Sequence, residues 1–244
     1  MQANMQALYL PERVPADVEV WRIALADGAE PVSTHGLSAD EVLRMRRFRQ
    51  ADDARRFADT RRTLRDLLAR RLDVDAQALV FTRGLHGKPA LAAAQRGAWE
   101  FSVSHSGQAA LVALSNQRAV GVDIEWRRPC LDVQAIAPVC LTAAERERVA
   151  DAADAASFYR HWVGKEAVLK ALGLGIGLHM QQLTVTPAAS GDYGLQHCLP
   201  VADGDGAISA CALPAPAGYL AALAWLDDQG GRPAASGRGV GQPF

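Results

Sequence analysis

The chain is poor in lysine: of its 26 basic residues, only Lys88, Lys165 and Lys170 are lysines. Long apolar runs are missing too. The longest, Tyr219 to Leu226, is far below the ~20 residues a membrane span requires, so no membrane partner is expected. The opening stretch MQANMQALYLPERVPADVE has neither the basic start nor the apolar segment of a signal peptide. The four cysteines, Cys130, Cys140, Cys198 and Cys211, include no CxxC pair; reduced thiols in a cytoplasmic protein are expected, with no disulfide or zinc framework. What is present, 244 residues of which 49% are hydrophobic, suffices for one soluble globular unit of one or two domains.

The formal net charge of −1 conceals a segregation. Between Arg44 and Arg71 stand eleven arginines against four aspartates, an excess of +7 that leaves −8 for the rest. A segment so basic is expected to meet an anion.

Residues 18–25, VEVWRIAL, read as an opening strand. Ser38 followed by Glu41 is a capping box, which starts a helix by satisfying free backbone donors reciprocally. A second helix over about 53–72 places Phe57, Leu64, Leu67, Leu68 and Leu72 at helical spacings. The basic excess thus falls on two consecutive helices. Strands follow at 79–82, 99–104, 109–115 and 119–126, with the HSG at 105–107 as a hairpin turn between the second and third. Thr142 and Glu145 form another capping box before a helix at 143–151. A longer helix, 155–172, ends in the GLGIG of 173–177, read as a terminator because it follows a helix instead of opening one. Late strands are expected at 183–186, 207–213 and 219–225, then a disordered tail from 227 to 244. This order predicts an α+β protein of two halves, 1–118 and 119–226, with a seam near 115–120 and no repeat visible in the letters.

Four short motifs bear on chemistry. In GVDIE at 121–125, Asp123 and Glu125 would share one strand face and converge on a hard cation such as Mg²⁺; a bare pair of this kind is more often a solvated edge. In FYRHWVGKEAVLK at 158–170, Trp162, Glu166 and Lys170 follow one another along one helix face, which also describes an ordinary surface Glu–Lys pair. In FSVSHSG at 101–107, Ser104 and His105 point to opposite strand faces, so the serine has no histidine base, and no G-x-S-x-G elbow is present; a turn this polar can still donate to an anion. In GLHGKPAL at 84–91, glycine and proline project Lys88 from a common kind of turn.

Together and in this order, from about residue 38 to residue 178, GKP, FSVSHS, GVDIE and WVGKEAVLK resemble the 4′-phosphopantetheinyl transferases, in particular the large, broad-specificity type that activates surfactin synthetase. All three lysines fall on motif positions. Ser102 departs from the pattern, many relatives having asparagine there.

The resemblance implies a monomer of two pseudo-symmetric α/β halves with coenzyme A in the cleft between them. It implies Mg²⁺-dependent transfer of the phosphopantetheine arm to a serine of an acyl or peptidyl carrier protein, releasing 3′,5′-ADP. Asp123, Glu125 and Glu166 would hold the metal, and Glu166 and Lys165 would serve catalysis. His105 and Lys170 would meet the pyrophosphate with Ser104 beside them, and Arg44, Arg62, Lys88 and Pro89 the 3′-phosphoadenosine end. Apolar residues within 131–141 would touch the carrier. Two alternatives remain: an inactive coenzyme A-binding adaptor, and a nucleic-acid-binding protein using the arginine helices. Against the latter stand a pI near 6.6 and the lack of interleaved aromatics.

Overall fold

Every residue of the strand 109–115 is buried, so it needs a covering layer on each side. The computed structural model describes residues 4–25, 31–93, 95, 99–150, 155–199 and 207–227 and shows both layers. The expected tail, apart from Asp227, lies outside these residues.

The first half contains β1 (Asn4–Ala7), β2 (Val18–Ala24), α1 (Ala39–Met45), α2 (Ala51–Leu72), β3 (Phe81–Arg83), β4 (Pro89–Leu91), β5 (Glu100–Ser106) and β6 (Ala109–Ser115). After a short connection come β7 (Val120–Trp126), α3 (Val133–Cys140), α4 (Ala143–Ala150), α5 (Ala156–Leu172), α6 (Ile176–His179), β8 (Leu183–Pro187), β9 (Tyr193–His197), β10 (Ile208–Ala212) and β11 (Tyr219–Leu226). The fold is α+β, as expected. One antiparallel sheet has the order β1-β2-β6-β5 and another β10-β11-β7; β3-β4 and β8-β9 are two-stranded.

Alternation distributes the side chains of the two main sheets over three cores. Ala110, Val112 and Leu114 of β6 pack with Ile23, Phe101 and the α2 residues Leu64, Leu67 and Leu68. Ala109, Leu111 and Ala113 face the other way and meet Val120, Val122 and Ile124 of β7 and Leu223 of β11. Ala222 and Ala224, on the far face of the second sheet, pack with Val163, Ala167 and Val168 of α5. The order of layers is therefore α2, sheet, sheet, α5. Burial of such aliphatic side chains, each contributing about 1.5–3 kcal/mol, is what orders the stack.

Several local expectations hold in detail. Both bonds of the Ser38–Glu41 capping box form, and Gly173 closes α5 in the left-handed conformation at φ 69°, its N–H reaching Leu169 and Lys170 carbonyls. Others shift. The hairpin turn is shorter than read: β5 continues to Ser106 and pairs with Ala109, so His105 and Ser106 are strand residues. β1, β4, β9, α3 and α6 were not foreseen. The NMQA of β1 and YGLQH of β9 alternate over too few residues to stand out and take their conformation from the neighbours they pair with. In α3, Pro138 lies inside an eight-residue helix, a position that removes a backbone donor.

Candidate functional site

The alternation of β7 that sends Val120, Val122 and Ile124 into the core between the sheets turns Gly121, Asp123 and Glu125 toward α5. Gly121 is required there. A Cβ at this position would collide with the Ala167 carbonyl and the Ala171 backbone nitrogen, so glycine alone lets the helix lie this close to the strand. The approach brings Glu166 over the strand. One carboxylate oxygen from each of Asp123, Glu125 and Glu166 falls within 4.8 Å of the others.

Three carboxylates this near cannot all stay ionised without a cation. Burial, then the charge of Asp123, pushes the Glu166 carboxyl well above the usual range. The same causes raise Glu125, with the Ser106 hydroxyl opposing them. Lys170, one helical turn beyond Glu166, supplies a positive charge: its Nζ is 2.6 Å from Asp123 Oδ1 and 3.1 Å from Glu166 Oε2. Burial disfavours that ammonium, but the two carboxylates outweigh burial and leave its pKa above the ordinary lysine value. Asp123 Oδ2 is buried with no hydrogen-bond partner. An orphaned carboxylate oxygen on a residue clustered with two other carboxylates is the donor set of a hard divalent cation, so these residues fit one.

Around the cluster, Ser104 Oγ donates to Asp123 Oδ1 at 2.7 Å and accepts from Lys170 Nζ at 3.1 Å. His105, on the opposite face of β5, has its pKa lowered by burial and then by the charges of Lys170 and Arg56. Arg56, in the first turns of α2, donates to the Gly107 carbonyl at 2.6 Å, and Tyr219 Oη accepts from Gln108 N at 2.8 Å. The β5–β6 turn is thus held from both halves.

A cleft of about 420 Å³ opens beside α1 and α2, walled by Arg44, Phe57, Arg61, Phe81, Arg83 and Pro89. Guanidinium groups stack on its rings, Arg44 4.8 Å from the Phe57 centroid and Arg61 4.7 Å from that of Phe81. Glu41, beyond capping α1, accepts from Arg65 Nε at 2.8 Å and faces Arg61 at 3.5 Å. One carboxylate therefore serves several guanidiniums. Burial lowers the Arg61 pKa to about 10, with Glu41 opposing and Arg44, Arg65 and Arg83 adding repulsion, and Arg61 Nη1 is buried without a hydrogen-bond partner. An unpaired donor and excess positive charge beside aromatic rings suit a phosphorylated heteroaromatic ligand.

The GKP turn lies between cleft and cluster. Pro89 lines the cleft, while Lys88 Nζ crosses the seam to donate to the Val120 carbonyl at 3.1 Å. Burial pulls the Lys88 ammonium down to about 8, opposed by Glu100. On the other side of the carboxylates, Leu131, Ile136, Phe158, Tyr159 and Trp162 enclose an apolar recess of about 160 Å³, with Glu125 and Arg128 among its lining.

Two expected site residues point elsewhere. Lys165 is wholly buried, donating to the carbonyls of Cys140 and Met180 at 2.9 and 2.8 Å and pairing with Glu145 at 2.5 Å; adjacent helix positions diverge by about 100°, so it cannot share the face of Glu166. Arg62 pairs with Asp59 and donates to the Ser33 and His35 carbonyls, outside the cleft that its neighbour Arg61 lines. The contributions of Arg61, Arg65, Arg83, Phe57 and Phe81 went unread; a period-of-four spacing of Phe57, Arg61 and Arg65 along α2 was the available signal.

Comparison with known proteins finds two matching family models, "4′-phosphopantetheinyl transferase, N-terminal" over residues 31–117 and "4′-phosphopantetheinyl transferase superfamily" over residues 119–224. Among similar proteins, the 4′-phosphopantetheinyl transferase HetI of Nostoc sp. is 34% identical over 179 residues, 70% of this chain and 75% of HetI. The protein slr0495 of Synechocystis sp. is 36% identical over 150 residues, 60% of this chain and 61% of that protein. A phosphopantetheinyl transferase of Thraustochytrium sp. is 31% identical over 191 residues, 70% of this chain and 66% of the relative. The matched regions thus span between three fifths and three quarters of these relatives.

Proposed function

The chain belongs to the 4′-phosphopantetheinyl transferase family, and from that premise we propose that it transfers the phosphopantetheine arm of coenzyme A to a serine of apo acyl or peptidyl carrier proteins, in the manner of the broad-specificity, surfactin-synthetase-activating type. The observation that carries this reading is the Asp123, Glu125 and Glu166 cluster with its unpartnered buried oxygen. In this proposal the half 1–118 holds the nucleotide end and the half 119–226 the metal, in a cytoplasmic monomer. Among the described residues no helix is long and apolar enough to cross a membrane.

Arg44, Arg61 and Arg83 would bind the 3′-phosphate beside the Phe57 and Phe81 rings, with Pro89 in the cleft wall and Lys88 at its seam side. Lys170 and His105 would meet the pyrophosphate oxygens, and Ser104 would hold Lys170 and Asp123 in place. A Mg²⁺ ion held by Asp123, Glu125 and Glu166 would neutralise charge that develops on those oxygens. The carrier's serine oxygen attacks the β-phosphorus, the bond from that phosphorus to the departing 3′,5′-ADP breaks, and the serine proton passes to Glu166 directly or through water. No nucleophile is needed in this chain. The apolar recess of Phe158, Tyr159 and Trp162 lies where the arm's aliphatic part would leave the site, and the exposed Val139 of α3 lies on the segment assigned to the carrier. Lys165 is left out of the chemistry.

The test is the mass of an apo carrier protein after incubation with coenzyme A and Mg²⁺. It should rise by one phosphopantetheine arm, not rise with EDTA, and not rise with Glu166→Ala or Asp123→Ala. Several apo carriers left unmodified at saturating Mg²⁺ would sink the enzymatic reading; retained coenzyme A binding would then favour the adaptor.

A further inference from the structure

Strand pairing stops at β5 in the first sheet and at β7 in the second, yet serines on alternate positions of β5 tie these two edges together. Ser102 Oγ accepts from Val122 N at 3.1 Å. Ser104 Oγ donates to Asp123 Oδ1. Ser106 Oγ accepts from Trp126 N at 3.1 Å and lies 2.7 Å from Glu125 Oε2. The pairs ascend together, so the strands run in the same direction, joined by hydroxyls where a backbone ladder would otherwise be.

The hydroxyl of Ser106 has one proton to give. Its oxygen accepts from the Trp126 backbone N–H, and an ionised carboxylate can only accept, so that proton is directed at Glu125 Oε2. Among the described residues Glu125 has no comparable support elsewhere: it is half-buried near the end of β7, with a long side chain, whereas Asp123 is short, almost fully buried and held by both Ser104 and Lys170. We propose that Ser106 is a positioning residue that holds one oxygen of Glu125 so that the other faces Asp123 and Glu166, and that it thereby sets the affinity of the cluster for a divalent cation. The inference rests on the metal-binding reading of that cluster. Ser102 supplies an internal control, since it makes the same kind of seam bond to backbone with no carboxylate partner.

The experiment measures binding of Mn²⁺ by electron paramagnetic resonance, and of Mg²⁺ by calorimetry, to the full chain without coenzyme A or carrier. Partners of metal ligands typically contribute about 10- to 100-fold in affinity, so Ser106→Ala should weaken Mn²⁺ binding by at least about tenfold. Ser106→Thr, which keeps the hydroxyl, should restore binding to nearly the wild-type value. Ser102→Ala should lower thermal stability at least as much as Ser106→Ala while leaving metal affinity unchanged. Wild-type affinity in Ser106→Ala, or an equal loss in Ser102→Ala, would overturn the proposal. A wild-type protein that binds neither ion would overturn the metal reading itself, and is distinguished because the variants then have nothing to lose.

Discussion

Lys88, Lys165 and Lys170 carry the same ammonium group into different surroundings. Lys170 meets carboxylates and is held charged. Lys165 is paired with Glu145, but burial still outweighs that pair and lowers it. Among the described residues Lys88 has only a backbone carbonyl and the attraction of Glu100, and it falls to about 8. A prediction on pH follows for Lys88. Its folded pKa is below the ordinary 10.5, so between about pH 8 and 10.5 the unfolded chain holds more protons and this group's penalty to folding shrinks as pH rises. Anion binding responds oppositely. A phosphate favours the ammonium, so above about pH 8 the free protein must take up a proton to bind. Affinity for 3′,5′-ADP, which lacks the ionising thiol of coenzyme A, should be flat from pH 7 to 8. It should then weaken by up to about tenfold per pH unit. Calorimetry from pH 7 to 9.5 checks this, and Lys88→Arg, always charged, should remove the slope; a slope unchanged in that variant would release Lys88 from the ligand. The choice between Arg61 and Arg62 shows where residue-scale reading ran out. Both sit on the same arginine-rich helix, and only the turn of α2 against Phe81 decides which of two identical side chains enters the cleft. Asp123 with Glu125, and Glu166 with Lys170, were legible because strand and helix periods alone place each pair on one face.

Between elements, the contact of α5 with β7 governs the site, and the buried pair of Lys165 and Glu145 acts on it from behind. Glu145 is fully buried; its carboxylate accepts from Thr142 N at 2.8 Å and Val185 N at 2.7 Å while facing Lys165. Four segments are thus tied to α5 at one point: the end of α3, α4, β8, and the turn at Met180. Removing one partner strands a buried charge, a loss of about 3–5 kcal/mol, whereas replacing both with apolar side chains of similar volume is often neutral. Lys165→Met and Glu145→Leu should each destabilise the protein by about that much, and the double variant by less than either alone. Chemical denaturation measures the stabilities, and transfer rate per folded molecule measures the chemistry. A double variant that is stable yet inactive would return Lys165 to the reaction. The capping box at Thr142 marked the helix in advance, and half of it forms. That its glutamate would reach through the core to a lysine twenty residues on depends on the crossing of α4 and α5, which no local pattern states.

At the scale of the molecule, the +7 segment and the carboxylate cluster lie on opposite sides of one seam. Part of the basic charge is spent internally: Arg56 pairs with Asp53 and Arg62 with Asp59 inside the segment, while Arg65 on Glu41 and Arg71 on Glu19 draw on the excess itself. Of the rest, Arg44 and Arg61 line the cleft, whereas Arg46, Arg47, Arg49 and Arg70 are exposed outside it. The layer order of helix, sheet, sheet, helix was legible only as two halves; the hydroxyl seam that joins them rests on Ser102, Ser104 and Ser106, whose alternate spacing puts them on one face without saying which strand lies opposite. Linkage between the halves gives a last prediction. A ligand bound at 100 times its dissociation constant stabilises the native state by about 2.7 kcal/mol, a rise in Tm of roughly 5–10 °C for a chain of this size. If coenzyme A spans the seam with its 3′-phosphate among the arginines and its pyrophosphate beside Asp123, Glu125 and Glu166, coenzyme A and Mg²⁺ together should raise Tm by more than the sum of their separate effects. The excess arises because each ligand completes the other's site. With 3′,5′-ADP in place of coenzyme A the excess should shrink, the product having lost the bridging pyrophosphate. With Asp123→Asn it should vanish while stabilisation by 3′,5′-ADP persists. Strictly additive shifts for coenzyme A and Mg²⁺ would place cation and nucleotide in independent sites and separate the two halves of the proposed active site.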